Sequence, residues 1–245
     1  MNLFLTRFRR SLIPVFGMIA MAVLFTACLK NKDEDTNIPV AGLMAFNLAP
    51  DQQSVVFGLS GNSLTPAPLA FSSYSGGYQN IYAGNRTVNA FDYPDNVPLA
   101  SVEQKFEQNR YYSVFLLGSA DKYKNVISED NLDSLSATTG NAYVRYVNAI
   151  GDSTINPTVT INAGASSIVN ENANFGDVSE FKAVSPGEIS IAAKGETGVD
   201  ASRSFTVESR KVYTVLLVGT PGATDDLKKV QIRYILNGAV TEDSK

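Results

Sequence analysis

The sequence predicts an all-β protein: two tandem antiparallel β-sandwiches behind an N-terminal signal segment. Three observations predict it. Short runs of β-branched and aromatic residues alternate with turn residues and show no helical periodicity. The order of these runs recurs after about one hundred residues. The first 27 residues differ in kind from everything after them.

Arg7, Arg9 and Arg10 precede an apolar run from Ser11 to Ala27, a charged stretch followed by a hydrophobic one, as in an export signal. A transmembrane helix is the other reading of such a run. At 17 residues, with Pro14 and Gly17 inside it, the run is short for a hydrocarbon core about 30 Å thick. It closes on Leu24-Phe25-Thr26-Ala27-Cys28, and Cys28 is the sole cysteine of the chain. This ending resembles the lipobox of bacterial lipoproteins, with Phe25 where Leu is usual. The resemblance implies that residues 1–27 are removed, that the Cys28 thiol is lipidated, and that the protein partners the membrane through this anchor. Residues 28–38 then form an acidic tether. Its Lys32, Asp33, Glu34 and Asp35 read as a solvated linker. They also resemble the Lys-then-acids export signal of Bacteroidetes lipoproteins, which implies an outer-membrane protein facing outward.

After the tether, Leu43 to Asp51 aligns with Val144 to Asp152 when Asn47 is placed on Asn148, an offset of 101. The stretch from Phe71 to Tyr78 corresponds to Phe175 to Phe181, with the offset drifting to 103 or 104, and Phe106 to Gly118 meets Val207 to Gly219 at 101 again. Return to one offset after an internal insertion predicts two homologous domains, 39–136 and 140–240, joined by the small, polar Ser134–Gly140 stretch.

Within the copies Val55, Phe57 and Leu59 alternate, as do Val159 and Ile161, whereas Tyr112–Leu117 and Tyr213–Val218 are continuous apolar runs. Gly84 and Gly187 read as turn positions that need a positive φ. Glu107–Arg110 and Glu208–Arg210 read as hairpin turns ahead of the long strands. Val126-Ile127 and Val230–Leu236 read as closing edge strands. Strands punctuated by turns over roughly 100 residues per copy describe a sandwich of immunoglobulin-like type.

Asn141 to Ala149 with Asp152, the later Pro186-Gly187 turn and the closing Lys211 to Gly219 strand resemble the bacterial domain of unknown function numbered 4397. Both halves fit. The first departs in having Ala45-Phe46-Asn47 where a basic residue usually precedes the strand, and in its longer Gly76-Gly77 insertion. The resemblance implies a secreted or lipid-anchored sandwich and supplies no catalytic residues.

With no His, no Trp and one Cys at the signal boundary, His-based triads, His or Cys zinc sites and Cys-His pairs are excluded. The 218 residues after the signal carry a formal charge of −7, with no basic stripe, which excludes a nucleic-acid partner. Carboxylates remain: Glu129 and Asp130 with Asp133, and Asp225 with Asp226. They lie among Asn, Ser and Lys in segments that read as solvated loops, and they lack calcium-loop spacing. No metal or cofactor is predicted. Tyr74, Tyr78, Tyr82 and Tyr93, with Phe91, distinguish the first copy from the second and read as a ligand platform or as packing. Asp133-Ser134-Leu135 and Asp152-Ser153-Thr154 resemble the O-glycosylation pattern of Bacteroidetes, at Ser134 and Ser153. The expected function is a non-enzymatic, lipid-anchored envelope protein that binds a glycan or protein or serves a structural role. The alternative is a carbohydrate-active enzyme or accessory domain using the loop carboxylates.

Overall fold

The computed structural model describes residues 38–151, 154–195 and 198–241. The first copy contains β1 (Val40–Asn47), β2 (Ser54–Leu59), β3 (Asn62–Ser63), β4 (Leu69–Ala70), β5 (Ser73–Tyr74), β6 (Gln79–Tyr82), β7 (Gly84–Asp92), β8 (Pro98–Phe106), β9 (Tyr111–Ser119) and β10 (Lys122–Glu129). The second contains β11 (Ala142–Ile150), β12 (Thr158–Ala163), β13 (Ser166–Asn172), β14 (Lys182–Val184), β15 (Gly187–Gly195), β16 (Val199–Val207), β17 (Lys211–Gly219) and β18 (Gln231–Ala239). One 3-10 turn, Leu132–Ser134, stands between them, and no α-helix occurs among the described residues.

Each copy is a sandwich of two sheets. In the first, β10-β9-β1 with β5 and β6 faces a sheet of order β3-β2-β7-β8, in which β4 also pairs with β2. In the second, β14-β11-β17-β18 faces β13-β12-β15-β16. All pairings are antiparallel except two, β1 with β9 and β11 with β17. Leu43 lies opposite Tyr112 and Val144 opposite Tyr213, the same register at the 101 offset. β10 and β18 are edge strands, as expected.

The two sandwiches stack. Leu43, Ala45, Tyr112 and Val114 point into the first core, and Val144, Tyr146, Tyr213 and Val215 into the second. The alternate residues of the same strands, among them Met44, Phe46, Phe115 and Leu117 against Val147, Leu216 and Val218, form a third apolar layer between the copies. The order is therefore four sheets with three apolar layers, and the same face of each copy meets the other. Burying a large side chain of this kind contributes roughly 1.5–3 kcal/mol. Strands buried on both faces cannot alternate with polar residues, so β1, β9, β11 and β17 read as continuous apolar runs while the outer β7 and β15 alternate.

The repeated residues do repeated work. The Asn47 amide donates to Gln52 O and Leu69 O and accepts from Ala49 N, while Asn148 donates to Ala173 O and Asn174 O and accepts from Ile150 N. Each pins the chain as it leaves the first strand of its copy. Gly84 and Gly187 open β7 and β15 at φ 110° and 139°, as the turn reading requires. Asn109 and Arg210 occupy left-handed conformations at equivalent positions, φ 61° and 62°. Their turns are not hairpins, because β8 and β16 belong to the outer sheets and β9 and β17 to the inner ones. Instead each turn crosses between sheets and is held by a tyrosine. Tyr112 OH accepts from Glu107 N and Tyr213 OH from Glu208 N, both at 3.1 Å, the corner arrangement of immunoglobulin-type sandwiches. The Ser134–Gly140 join is tied down: Ala137 is buried with Tyr143, Val212 and Val240, and Tyr143 OH bonds both N and O of Ser136.

Candidate functional site

At the seam between the copies lies a buried ring of six polar side chains, three from each copy. Arg145 Nη1 donates to Asp130 Oδ1 at 2.5 Å, and these side chains are 2% and 0% exposed. Arg145 Nη2 reaches Ser113 Oγ at 3.1 Å, and Ser113 donates to Asp130 Oδ2 at 2.6 Å. Arg145 Nε donates to Thr214 Oγ1, Thr214 to Asn237 Oδ1, Asn237 Nδ2 to Tyr78 OH, and Tyr78 OH closes the ring on Asp130 Oδ2. The Phe181 ring lies 4.5 Å from the guanidinium carbon. Burial first, and the Asp130 carboxylate second, push the Tyr78 phenol up, so it remains a donor. A carboxylate with three donors and no exposure is closed to a substrate. Its role here is to hold the copies in register.

That register builds a cleft of about 540 Å³ from both copies. Ser72, Ser73 and Tyr74 line it from the first, and Arg203, Arg233 and Tyr234 from the second. Phe205 supports Tyr234 as a parallel stack at 3.7 Å between ring centroids. The Arg203 guanidinium carbon sits 4.9 Å from the Tyr234 ring centre, and its Nη1 donates to Ile232 O at 3.0 Å. Arg233 Nε donates to Gln231 Oε1 at 3.1 Å. Neither arginine has a carboxylate partner among the described residues. A second groove, about 510 Å³, runs between β3 and β6 in the first copy, with Asn62, Asn80, Tyr82 and Arg86 on its walls.

The residues singled out from sequence are dispersed. Tyr74 lines the cleft and stacks on Phe46, Tyr78 belongs to the buried ring, and Tyr82 lines the second groove. Tyr82 and Tyr93, 59% and 50% exposed, stand beyond opposite ends of the nine-residue β7. A strand of that length spans about 30 Å. The four rings therefore form no common platform. Asp130 is not in a solvated loop, since its partner Arg145 and the packed sheets enclose it, whereas Glu129 and Asp133 are exposed and both face Arg110. Asp225 and Asp226 are exposed as expected, and the Lys229 ammonium holds the Asp226 carboxyl below its usual range. Ser134 is exposed, its hydroxyl donating to Asn131 O. Cys28, Lys32, Asp33, Glu34, Asp35 and Ser153 lie outside the described residues. Among the described residues no three His, Cys, Asp or Glu side chains gather as a metal site.

Sequence reasoning missed the ring and the cleft. The ring had a readable signal, because Ser113, Arg145 and Thr214 interrupt apolar runs of strands buried on both faces. Arg203 and Arg233 had none, each being a single basic residue in a strand with no motif around it.

Comparison with known proteins gives one family and several distant structural likenesses. The profile of the Domain of unknown function (DUF4397) matches residues 41–155 and 142–233, two regions that follow the two copies. No curated protein matches the chain. Among solved structures, a proposed cell adhesion protein from Bacteroides eggerthii shares 12% identity over 82% of this chain and 95% of its own, with a TM-score of 0.23. The family 26 carbohydrate-binding module CBMbc of Amy13K from Eubacterium rectale, solved with maltoheptaose, shares 11% over 84% and 99%, with a TM-score of 0.25. The C-terminally truncated tip fimbrial protein Mfa3 from Porphyromonas gingivalis shares 8% over 81% and 99%, with a TM-score of 0.26. Likeness this distant carries no functional argument, which rests instead on the residues of this chain.

Proposed function

The chain belongs to the DUF4397 family, and on that premise we propose that it is a non-enzymatic binding module of the cell envelope, anchored at Cys28 in the outer membrane and facing outward. Its ligand, a glycan or an envelope protein, sits in the cleft between the copies. The observation that carries this reading is that the cleft is made by both copies at once and that a buried hydrogen-bonded ring fixes their placement. Preorganised walls lower the ordering cost of binding. The carboxylates that an enzyme would need are engaged: Asp130 is locked by Arg145, and Glu129 and Asp133 face Arg110. Anchoring rests on the sole cysteine at the end of the signal, outward display on Lys32-Asp33-Glu34-Asp35, and glycosylation at Ser134 and Ser153 on their flanking residues.

The test is fractionation with Cys28→Ser. Wild type is expected in the outer-membrane fraction and open to protease on intact cells, and the variant in the soluble fraction. Unchanged membrane retention of the variant would overturn the anchor. A glycan array probed with wild type and Tyr234→Ala tests the cleft, where loss of a wild-type signal is expected.

A further inference from the structure

We propose that the cleft between the copies takes an acidic polysaccharide, binding uronic-acid carboxylates through Arg203 and Arg233; this rests on the reading of the cleft as the binding site. Two arginines line it without a carboxylate partner among the described residues, in a mature chain whose formal charge is −7. Screening confines charge effects to about 8–10 Å, so inside the cleft the local arginines outweigh the distant acidic surface. Arginine forks pair with planar carboxylates through two parallel bonds. The other walls suit a sugar: Tyr74 adds an aromatic ring and Ser72 and Ser73 add hydroxyls to the lining. Phe205 stacked on the ring and the Arg203 guanidinium over it hold Tyr234 fixed as part of the cleft wall.

An acidic peptide fits less well. A peptide would add as a strand to the open edge of β18, but Arg203 already bonds the Ile232 carbonyl and stands across that edge.

The full-length chain, purified in detergent, is titrated with polygalacturonate, neutral dextran and polyglutamate at about 0.1 M salt. Polygalacturonate is expected to bind and to weaken as salt rises, with no response to dextran. Arg203→Gln with Arg233→Gln is expected to lower the affinity at least tenfold without moving the thermal midpoint. Should Arg203→Gln unsettle the fold, Arg233→Gln alone, whose side chain bonds only Gln231 among the described residues, is expected to lower it about threefold. Failure to bind polygalacturonate, or binding that survives the arginine replacements, overturns the proposal, and so does polyglutamate binding as tightly with the same arginine dependence. A neutral glycan that binds and is lost with Tyr234→Ala refutes the acidic ligand but leaves the cleft as the binding site. Binding that ignores Tyr234→Ala and both arginines removes the cleft itself.

Discussion

Replacing Asp130 by Ala leaves the Arg145 guanidinium, 2% exposed, without its counter-charge in the seam between the copies. It also strips the acceptor from Ser113 and Tyr78. Removing one partner of a buried pair costs about 3–5 kcal/mol, whereas replacing both with apolar residues of similar volume is often neutral or stabilising. Asp130→Ala is therefore expected to lower the unfolding free energy by about 3–5 kcal/mol. Asp130→Leu combined with Arg145→Met is expected to restore most of that loss, and the cycle closed by the Asp130→Leu and Arg145→Met single variants is expected to give a coupling of roughly 3 kcal/mol. Asp133→Ala, which breaks the Arg110 pair at 39% and 56% side-chain exposure, serves as control and is expected to cost at most about 1 kcal/mol. With no Trp in the chain, urea unfolding is followed by far-UV circular dichroism, and stability is taken from midpoint and slope. An Asp130→Ala loss no larger than that of Asp133→Ala, or a double variant as unstable as the single, would refute the view that the pair is desolvated and mutually dependent.

Gly118 and Gly219 sit at φ 111° and 109°, and an added Cβ would fall 2.0 Å from Lys122 O and 2.2 Å from Lys229 O. Either residue changed to Ala is expected to cost at least about 1–3 kcal/mol, while Gly77→Ala, with open space around it, is near neutral; urea midpoints that rank otherwise contradict the geometry. Tyr78 contributes to alkaline stability, because its folded pKa is raised above the ordinary value of 10.0, so its contribution is complete below about pH 10 and is lost as pH rises toward the folded value. Tyr78→Phe should therefore reduce the fall in unfolding free energy above pH 10 by about 1.4 kcal/mol per pH unit, and parallel slopes for variant and wild type from pH 9 to 11.5 would exclude this role.

Much of the architecture was legible because local physics carries it. Turn residues and alternating apolar positions announce strands, and the 101 offset survives because Asn47 and Asn148, Tyr112 and Tyr213, and Gly118 and Gly219 each meet the same backbone requirement in both copies. The continuous runs in β9 and β17 were visible in the sequence, but the layer that covers their second face was not, since an apolar face does not name its partner. Asp130 read as solvated because its sequence neighbours are polar. Its environment is set by Arg145, fifteen residues on and in the facing sheet. The aromatic excess of the first copy was real in composition, yet Tyr74, Tyr78, Tyr82 and Tyr93 occupy four different environments, because strand direction and sheet order, not proximity in sequence, decide which rings meet.

The meeting of the same face from each copy makes the chain a covalent dimer of one domain with itself. A lone domain carrying this face would have to find its twin by diffusion, with stability rising and falling with protein concentration. A short linker replaces that search with an effective concentration in the millimolar range. It also releases the two faces from identity: Met44 occupies the position equivalent to Arg145, so one charged pair, rather than two, crosses the seam. A symmetric association of separate domains would place the arginine twice and bury a second guanidinium opposite the first. Joined in one chain, the copies accommodate a single oriented pair, and the asymmetry favours a first copy against a second copy over two copies of one kind.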